Sequence, residues 1–531
     1  MRFFCLLLAM AVATAAYSQQ NGKRIETKVP LPEVDQIILP ALDNDALRAQ
    51  ELQRRANDPD AAPRFAEVRE VNISPETHGT WEDLADGTSL WRFRVISEGA
   101  FSVNLGFSRY QMPPDGTFIL YAPDQKKPYG PFTPADNEAH EQLWTPVVQG
   151  QEAVLEVHLP TEHKSDLQLQ LDNVNHDFMN FFDANSGACH LDVVCGPEDG
   201  HPLVDKFRDA IQSVAVFSFG GSFVCTGFLV NNTQSNCAPY FVTANHCGVT
   251  SNNAPSMVVY WNYENSTCRE PRSPVSGGLG DGPLDDFNTG AAFRANYALS
   301  DVTLVELDDP VSPTADAFFA GWNATNVPPS DTVAVVHHPG TEEKRISFEY
   351  DGTFVGAWGS GTNPVPDGDA LIISTWDVGS TEGGSSGAPL FDSNNRVVGQ
   401  LSGGTASCNI NGYDAFGWFH KSWTGDDTPE TSLQPWLDPA NSGVLILNGK
   451  AQAACNISLV ANEPSRQVCA PTQAVFEIEV SENFNDLVEL TLAGLPENAQ
   501  VSFTQNPVIP GNSTTITINS DNLPSGAYAL H

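Results

Sequence analysis

The sequence predicts an all-β protein built from several domains. Segments in which apolar and polar residues alternate recur from about residue 75 to the end of the chain, and Gly, Pro and Asp turns separate them. Only residues 43–57 and 433–437 have the composition and spacing of helices. A chain of 531 residues is long enough for about three to five domains, each with its own core.

The first element, residues 1–19, has the pattern of a secretory signal peptide. Arg2 provides a positive start, residues 3–12 are apolar, and residues 13–16 and Ser18 are the small residues that signal peptidases require. The apolar stretch is shorter than the roughly 20 residues of a membrane-spanning helix, and no later run of about eighteen apolar residues appears. We therefore expect an exported protein.

The second element, residues 20–185, is predicted to contain a β domain at about 75–175. Strand-like segments lie at 89–96, 117–121 and 153–159, and the expected core is aromatic: Trp91, Phe93, Phe101 and Phe107. No cysteine occurs between residues 20 and 188, whereas seven occur from 189 to 408. This change in cysteine content marks a domain boundary near residue 185. Residues 186–450 are therefore predicted to form the third element. Its expected strands lie at 213–219, 257–261, 301–307, 333–336 and 396–401.

The last element, residues 455–531, is predicted to be an immunoglobulin-like β-sandwich. Its expected strands lie at 474–480, 487–492 and 514–518, and the strand-like residues 527–530 end the chain. The domain is therefore either complete by a narrow margin or truncated. Its two cysteines, Cys455 and Cys469, are expected to bond to each other.

Charge and cysteine content exclude several functions. Lys and Arg number 26 and Asp and Glu 65, so the net charge is −39, and nucleic acid and anionic membranes are not expected partners. Nine cysteines remain after the signal peptide, and in an exported chain they are expected to be oxidised. The odd number leaves at least one thiol unpaired or paired outside the chain. No C-x-x-C spacing occurs, which argues against a zinc ribbon.

Three segments of the third element carry the residue types of nucleophilic catalysis. His246 follows an apolar strand, Asp301 begins another, and Ser386 lies in the glycine-rich stretch 383–387. A serine hydroxyl needs an imidazole to take its proton and a carboxylate to orient that imidazole. Each motif alone is more typical of an ordinary turn, but the order His, Asp, Ser predicts a catalytic triad. His337 and His338 are the alternative bases, and the turn-like Pro339-Gly340 after them makes His246 the preferred one.

The same region contains a series of short motifs in a fixed order. They are Cys225-Thr-Gly-Phe-Leu-Val-Asn-Asn232, Thr243-Ala-Asn-His-Cys247, Trp261-Asn-Tyr-Glu-Asn-Ser-Thr-Cys268, Ala320-Gly-Trp322, His337-His-Pro-Gly340, Gly384-Ser-Ser-Gly-Ala-Pro389, Gly399-Gln-Leu-Ser-Gly-Gly404 and Ser422-Trp-Thr-Gly425. In these motifs residues 189–440 resemble the lysyl endopeptidase branch of the chymotrypsin-like serine proteases. The resemblance implies a double β-barrel with the active site between the barrels.

The resemblance also implies the roles of individual residues. Ser386 would be the nucleophile, His246 the base and Asp301 its orienting carboxylate, while the N–H groups of Gly384 and Ser386 would form the oxyanion hole. No metal and no cofactor are required. The implied disulfides are Cys189–Cys408, Cys195–Cys268 and Cys225–Cys247, which would leave Cys237 unpaired.

Specificity for lysine is implied by the same resemblance. A buried substrate cation needs a counter-carboxylate. Trypsin-like proteins place it six residues before the nucleophile, where this chain has Ser380, but the lysyl endopeptidase pattern places it at Asp414. Gly403 and Gly404 would keep the pocket entrance open. Ser402 stands where the family usually has a histidine, so arginine remains an alternative.

The chain is therefore predicted to be a secreted, monomeric endopeptidase that acts on proteins or peptides and is made with its own propeptide, residues 20–185. The basic residue nearest upstream of Cys189 is Lys164. Maturation would then occur at Lys164, or another protease would cut, or the specificity is not for lysine. Three alternatives remain: a permanent N-terminal accessory domain, an endopeptidase of acidic or broad preference, and a non-catalytic binding or adhesion protein with a vestigial triad.

Overall fold

The computed structural model describes residues 5–10, 27–58, 61–123, 128–181, 186–455, 459–462, 465–480, 488–496, 499–509, 511–521 and 523–530. The chain divides into two compact units. The larger consists of Ser18–Thr233 and Ala238–Lys450, and the smaller of Met1–Tyr17, Gln234–Cys237 and Ala451–His531. Each unit is described by itself below.

The N-terminal part of the larger unit contains two mainly antiparallel sheets around one core. In spatial order, the five-stranded sheet has Val148–Gln149, Ser102–Gln111, Gln168–Asp177 and Ala66–Ile73, with Leu143–Trp144 beside Ser102–Gln111. The six-stranded sheet has Gln36–Leu39, Thr88–Ser97, Glu152–Pro160, Thr117–Tyr121 and Tyr129–Phe132, with Thr80–Asp83 beside Thr88–Ser97. Trp91, Phe93 and Phe107 are buried in this core, whereas Phe101 is half-buried under the guanidinium of Arg48.

One long helix, Asn44–Asn57, follows the strand Gln36–Leu39 and precedes the other strands of these sheets. Asp43 caps it by accepting a hydrogen bond from the N–H of Ala46, and Arg54 and Arg55 in its last turn favour the negative end of the helix dipole. The chain that follows pairs with the central part of the unit. The N–H of Phe65 donates to Ser222 over 2.8 Å, and the N–H of Val224 donates to Pro63 over 3.0 Å.

The central part of the larger unit consists of two further sheets. In spatial order, the seven-stranded sheet has Asp286–Thr289, Val258–Trp261, Val214–Phe219, Phe223–Leu229, Tyr240–Ala244, Val302–Leu307 and Ala291–Tyr297. The ten-stranded sheet has Leu191–Asp192, Arg345–Glu349, Val333–His337, Pro389–Phe391, Arg396–Gly404, Asp414–Trp418, Ala370–Ile373 and Phe354–Gly356, with Gly321–Asn323 and Ile446–Leu447 at its side.

Both central sheets are almost wholly antiparallel, and their strands carry continuous buried apolar faces. Val214–Phe219 is buried along its whole length, as are Val333–His337 and Asp414–Trp418. Residues from both sheets share one hydrophobic core, which includes Phe228 from the first and Val336 and Phe391 from the second. The predicted chymotrypsin-like β-barrel fold is confirmed.

The remaining elements of the larger unit are short. Its other helices are Arg208–Ile211, Phe419–Thr424 and Gln434–Leu437. The 3-10 turns are Leu31–Glu33, Pro134–Asp136, Thr161–His163, Pro197–Asp199, Val204–Phe207, Asn245–Cys247, Ala254–Ser256, Pro313–Ala315 and Pro339–Thr341, and Phe318–Phe319 is a further strand. In the residues described here, no helix has both the length and the apolar character needed to cross a membrane.

The smaller unit contains a four-stranded and a three-stranded sheet. The first has the order Leu459–Ala461, Gln473–Val480, Ser513–Asn519 and Gln500–Phe503, and the second has Ser465–Cys469, Cys5–Met10 and Ala527–Leu530. A short strand, Lys450–Ala451, and the 3-10 turn Gln452–Cys455 lead into it. Apart from Cys5–Met10, the predicted signal peptide lies outside the described residues. In the predicted strand 487–492, Val488 forms only an isolated bridge to Val508, and residue 487 is not described.

The disulfide predicted for this unit is wrong. Cys455 bonds to Cys237 and not to Cys469, so the prediction that Cys237 is unpaired is wrong as well. The Cα atoms of Cys237 and Cys455 are 5.8 Å apart, within the usual range for a disulfide. The chain path brings the segment Gln234–Cys237 into the same compact unit as Cys455, although the two lie far apart in sequence, and grouping cysteines by region cannot show this.

Candidate active site

His246 and Asp301 form a tight pair in the seven-stranded sheet. His246 lies in the 3-10 turn after Tyr240–Ala244, and Asp301 directly precedes Val302–Leu307, the neighbouring strand. Nδ1 of His246 lies 2.7 Å from Oδ2 of Asp301, and the N–H of His246 donates to Oδ1 over 2.8 Å. Because a carboxylate only accepts, Nδ1 carries the proton and Nε2 carries the lone pair in the neutral imidazole.

The backbone holds Asp301 in an unusual conformation. Its φ is +52°, in the left-handed region that residues other than glycine seldom adopt. Its carbonyl accepts from the N–H of Asn245 over 2.8 Å and from Nε2 of Gln400 over 3.1 Å. Gln400 lies on Arg396–Gly404, so the second sheet supports the carboxylate that the first sheet presents.

Ser386 lies on a loop of the ten-stranded sheet that is held against the first sheet by Thr226. The N–H of Thr226 donates to the carbonyl of Ser386 over 3.0 Å, and its hydroxyl donates to the carbonyl of Gly384 over 2.8 Å. Sγ of Cys247, the residue after His246, lies 3.9 Å from the carbonyl oxygen of Ser386. The structure therefore brings the backbone of Ser386 close to Cys247, the residue that follows His246. Sequence reasoning missed Thr226, although the motif Cys225-Thr-Gly was a signal for it.

Glycines make this approach possible. Gly387 has φ +84°, and a β-carbon there would collide with the carbonyl of Thr226 and the hydroxyl of Thr243. Gly384 has φ +98° and packs against the carbonyl of His338. In the part of the chain that the structure describes, no hydrogen-bond acceptor takes the N–H of Gly384 or of Ser386. Two donors therefore remain for an oxygen atom of a bound molecule.

The alternative bases lie elsewhere. His337 is fully buried, with Nδ1 2.8 Å from the hydroxyl of Ser385 and Nε2 3.3 Å from that of Ser347. Burial holds its pKa well below the ordinary value, and the neighbouring His190 adds to this effect. Burial also lowers the pKa of His338, to about 3. Both imidazoles are therefore neutral at physiological pH, and neither is bonded to Ser386.

Asp414 lies at the start of Asp414–Trp418 and is 1% exposed. Its Oδ2 accepts from Nε1 of Trp376 and from the hydroxyl of Thr381, each over 2.7 Å. Its Oδ1 is buried without a hydrogen bond from any described residue. Burial raises the pKa of Asp414 to about 6, although the hydrogen bonds from Thr381 and Trp376 and, more weakly, the backbone N–H of Ala406 favour the charged form.

The two predicted pocket glycines, Gly403 and Gly404, have different structural roles. A β-carbon on Gly404 would collide with Oδ1 of Asp414, so only glycine allows the backbone to pass there. Gly403 has φ +143° and lies at an irregularity in the pairing of Arg396–Gly404 with Asp414–Trp418. Sequence reasoning missed Trp376 and Thr381, because nothing in the local sequence pairs them with Asp414.

A cavity of about 220 Å³ lies beside the His–Asp pair. Its walls include His246, Asp301, Leu299, Trp358, Asp369 and Ser402. Leu299 and Trp358 are large apolar side chains that are 63% and 50% exposed. Ser402 contributes a small side chain to the same wall.

The three disulfides that the resemblance implies are present: Cys189–Cys408, Cys195–Cys268 and Cys225–Cys247. Two groups of side chains lie close enough to share a metal ion among the described residues, and four of their six members are cysteines in these bonds: Cys189, His190 and Cys408, and Cys195, Asp199 and Cys268. A disulfide sulfur has no thiolate to offer, so these groups do not fit a metal.

The helix Asn44–Asn57 ends next to residues 383–387, the loop that carries Ser386, which we call the nucleophile loop. A β-carbon on Gly383 would collide with the guanidinium of Arg55, so the two groups are in contact. The next residue, Arg54, is turned away, bonds to Glu51 and lies over the ring of Phe223. Sequence reasoning missed Arg55, since a basic residue in the last turn of a helix is common for other reasons.

Comparisons with known proteins agree on one family. Residues 38–178 match the model of the lysyl endopeptidase N-terminal domain, and residues 184–419 match that of the lysyl endopeptidase C-terminal domain. A lysyl endopeptidase of Pseudomonas aeruginosa is 27% identical over 345 residues, which cover 62% of this chain and 71% of that protein.

Solved structures with similarity include the active form of the Rv3671c protease of Mycobacterium tuberculosis. It has 15% sequence identity and a TM-score of 0.28, with 44% of this chain and 86% of that chain covered. A second is the thermostable serine protease AL20 from an extremophilic microorganism, at 14% identity and a TM-score of 0.25, with 39% and 91% covered.

The fold and the family matches define the chain as a serine endopeptidase. More narrowly, the N-terminal and C-terminal models together span well over half of its residues. The chain belongs to the lysyl endopeptidase-like serine proteases, as the sequence motifs predict.

Proposed function

We propose that the protein is a secreted endopeptidase that hydrolyses peptide bonds after lysine, with Ser386, His246 and Asp301 as its triad. The observation that carries this proposal is the 2.7 Å contact between Nδ1 of His246 and Asp301 next to the loop of Ser386. That contact leaves Nε2 of His246 as the basic atom, which is the atom a serine hydroxyl requires.

In this mechanism Oγ of Ser386 attacks the peptide carbonyl while Nε2 of His246 takes its proton. Asp301 stabilises the imidazolium that results. The proton then passes to the leaving amine, and an acyl group remains on Ser386. Water, activated by the same imidazole, hydrolyses this acyl-enzyme and regenerates the hydroxyl.

Negative charge on the carbonyl oxygen would be stabilised by the N–H groups of Gly384 and Ser386. Such a donor is typically worth about 3 kcal/mol of transition-state stabilisation. The position of these donors depends on Thr226, whose hydroxyl bonds to Gly384 and whose N–H bonds to Ser386.

Lysine specificity is proposed from Asp414. Its buried Oδ1 has no hydrogen-bond donor among the described residues, and an ammonium group would supply one. The absence of a side chain at Gly404 gives this oxygen its space. Arginine is the second candidate, since Ser402 is smaller than the histidine it replaces.

The N-terminal region is proposed to be a propeptide that covers this site. Two contacts support the proposal: Arg55 lies against Gly383 of the nucleophile loop, and residues 63–65 pair with Ser222 and Val224 beside the strand that carries Thr226. An Arg55→Ala precursor should react up to about tenfold faster with a fluorophosphonate, since one polar contact typically contributes about 0.5–1.5 kcal/mol. The matched control is Arg48→Ala, on the same helix but over Phe101. Equal rates for the two variants would reject the role of Arg55.

The decisive experiment for the catalytic proposal is covalent labelling followed by digestion of an unstructured protein. A fluorophosphonate should label Ser386, and new C-termini should be lysine. The Ser386→Ala variant should take no label, whereas Ser385→Ala should be labelled, because the Ser385 hydroxyl is bonded to His337. Labelling without lysine C-termini would reject the specificity alone. No labelling of the processed protein would favour a non-catalytic binding role.

A further inference from the structure

The N-terminal region and the seven-stranded sheet share one hydrophobic core. The core contains aromatic rings from both sides: those of Phe181 and Tyr260 lie 5.9 Å apart, and those of Tyr129 and Phe287 lie 5.8 Å apart. The N–H of Val147 also donates to the hydroxyl of Tyr260 over 3.1 Å. Most of the contact between the two regions is therefore apolar, and the burial of apolar surface holds them together.

One edge of this contact is acidic. Four carboxylates meet there: Asp136 and Glu138 from the N-terminal region, and Asp308 and Asp309 from the segment that follows Val302–Leu307. We call them the carboxylate cluster. They line a cavity of about 10 Å³, which has room for about one water molecule. The side chain of Asp308 is 7% exposed, and the other three residues are half-buried. Water therefore screens the repulsion between these groups poorly.

His140 connects the two sides of the carboxylate cluster without adding a positive charge. Its Nε2 lies 2.9 Å from Oδ2 of Asp308, and its Nδ1 accepts from the N–H of Gln142 over 3.0 Å. An imidazole that accepts at Nδ1 carries one proton, which Nε2 donates to the carboxylate. A second proton would break the bond from Gln142. Gly290 allows this arrangement, because a β-carbon there would collide with Oδ2 of Asp308.

The surrounding elements do not balance the charge of the carboxylate cluster. Among the residues that the structure describes, neither lysine nor arginine lines the cavity. The bases of the adjoining strands pair with other acids: Arg109 with Glu141 over 3.9 Å, and Arg294 with Glu306 over 2.7 Å. The remaining residues that line the cavity are uncharged: Gln142, Leu143, Trp144, Pro255, Thr289 and Gly290.

Ionisation of the carboxylate cluster is costly while the two regions are in contact. Burial and the three neighbouring carboxylates raise the pKa of Asp309 to about 7. Burial, followed by the charges of Asp308 and Asp136, raises the pKa of Glu138. With the two regions apart, such carboxyl groups would lose their protons near the ordinary value of about 4. The contact therefore loses stability as the pH rises from about 4 to about 7, and the full penalty is present above pH 7.

We propose that the carboxylate cluster makes the contact between the N-terminal region and the seven-stranded sheet sensitive to pH, so that the two hold together in acid and loosen at neutral and alkaline pH. The proposal rests on the proposed function only for its consequence. If the N-terminal region is a propeptide, the precursor stays covered in an acidic medium and opens in an alkaline one. The same region carries Arg55, which lies against Gly383 of the nucleophile loop.

The test measures hydrogen–deuterium exchange of the full chain with Ser386→Ala, which removes self-cleavage and serves as the parent. Two N–H groups that bond across the contact report on its opening, those of Val147 and Phe65. After correction for the intrinsic effect of pH on exchange, we expect the opening equilibrium constant at both sites to rise by at least about tenfold from pH 5 to pH 8. In the buried strand Val333–His337 of the other sheet, the change should stay below about threefold.

Substitutions connect this rise to the carboxylate cluster. Asp309→Asn removes an ionisable group, so the rise from pH 5 to pH 8 should fall to about a third of the parent value or less. Glu138→Gln, on the other side of the contact, should also lower the rise, so the result does not depend on one variant. The matched control is Glu306→Gln on the preceding strand, where the carboxylate pairs with Arg294. This control should keep the rise of the parent.

Three outcomes would overturn the proposal. The first is an opening constant at Val147 and Phe65 that is the same at pH 5 and pH 8. The second is a rise that Asp309→Asn and Glu138→Gln leave unchanged. The third is an equal loss of protection in Val333–His337, because the whole unit would then be unfolding.

The exchange experiment does not depend on catalysis, because Ser386 is replaced. If exchange changes with pH as expected but the wild-type protein takes no fluorophosphonate label, the pH-sensitive contact stands and the proposed catalytic function fails. If wild type takes the label but exchange at Val147 and Phe65 does not change with pH, the proposed function stands and the pH-sensitive contact is rejected.

Discussion

His246 and His337 lie at the ends of strands in different sheets, and each lies near a serine of the same short loop. His246 is bonded to a carboxylate over 2.7 Å, and its side chain is 18% exposed. His337 is fully buried and bonded to the hydroxyls of Ser385 and Ser347. The difference shows that proximity to a serine does not make a catalytic base. The base also needs a partner that stabilises its charged form and access to the substrate.

Removing the imidazole of His246 should have the largest effect on activity. We expect His246→Ala to lower kcat/KM by at least about 10⁴-fold, because the serine loses its proton acceptor. Steady-state hydrolysis of a lysine ester measures this. The control is the melting temperature, which should stay close to that of wild type. A loss of less than tenfold would remove His246 from the mechanism.

Asp301→Asn should reduce kcat by about 10⁴-fold, because an amide that donates to Nδ1 of His246 favours the wrong tautomer. The same measurement applies. Because the backbone N–H of His246 still finds an acceptor in the asparagine side chain, the fold should be retained, and circular dichroism checks this. Activity close to that of wild type would show that the 2.7 Å contact has no catalytic role.

Replacing Asp414 in the substrate pocket should lower activity by an amount that depends on the charge of the substrate side chain. We expect Asp414→Asn to lower kcat/KM for a lysine ester by about 10²-fold or more, the cost of leaving a buried cation unpaired. The matched substrate is an ester of norleucine, which has no charge, and its kcat/KM should change by less than tenfold. Equal losses for both esters would exclude Asp414 as the lysine receptor.

Asp414 also predicts a pH dependence. Burial raises its pKa to about 6, so the carboxylate that a lysine needs becomes neutral as the pH falls through that value. The ratio of kcat/KM for lysine and norleucine esters should therefore fall below about pH 6. Taking the ratio cancels any effect of pH that the two substrates share. A ratio that stays constant from pH 8 to pH 5 would contradict this assignment.

Replacing His337 should have the smallest effect on catalysis. His337→Ala should leave kcat/KM within about tenfold of wild type but lower the melting temperature by about 4 °C or more, because it leaves a cavity and unpaired hydroxyl groups. Thermal unfolding and ester hydrolysis measure the two quantities. A loss of activity as large as that of His246→Ala would end the distinction between the two histidines.

Much of the architecture follows from the sequence because it depends on local patterns. Alternating segments and turn residues predict the strands to within a few residues, as in 117–121, which is the strand Thr117–Tyr121. The helix predicted at 43–57 is Asn44–Asn57, with Asp43 as its cap. Periodicity does not reveal how these elements pair, and the double barrel was expected from the family motifs alone.

What the sequence left unpredicted depends on contacts between distant residues. Cysteines grouped by region assign Cys455 to Cys469, whereas the chain path brings Cys237 to Cys455. The hydrogen bonds of Asp414 with Trp376 and Thr381 span 38 and 33 positions. The contact between Arg55 and Gly383 joins two regions that the sequence presents as separate domains. No local pattern records such contacts.

Thr226 links the two central sheets, which form the two barrels, through its hydroxyl group and its backbone N–H. The strand that carries it belongs to the first barrel, yet it bonds to both residues proposed to form the oxyanion hole, and Gly387 must lack a side chain for this to happen. Chimeras that join the first half of one relative to the second half of another must therefore match at this junction. A hybrid that pairs a bulkier residue at position 387 with Thr226 would fold each half and still misalign its nucleophile.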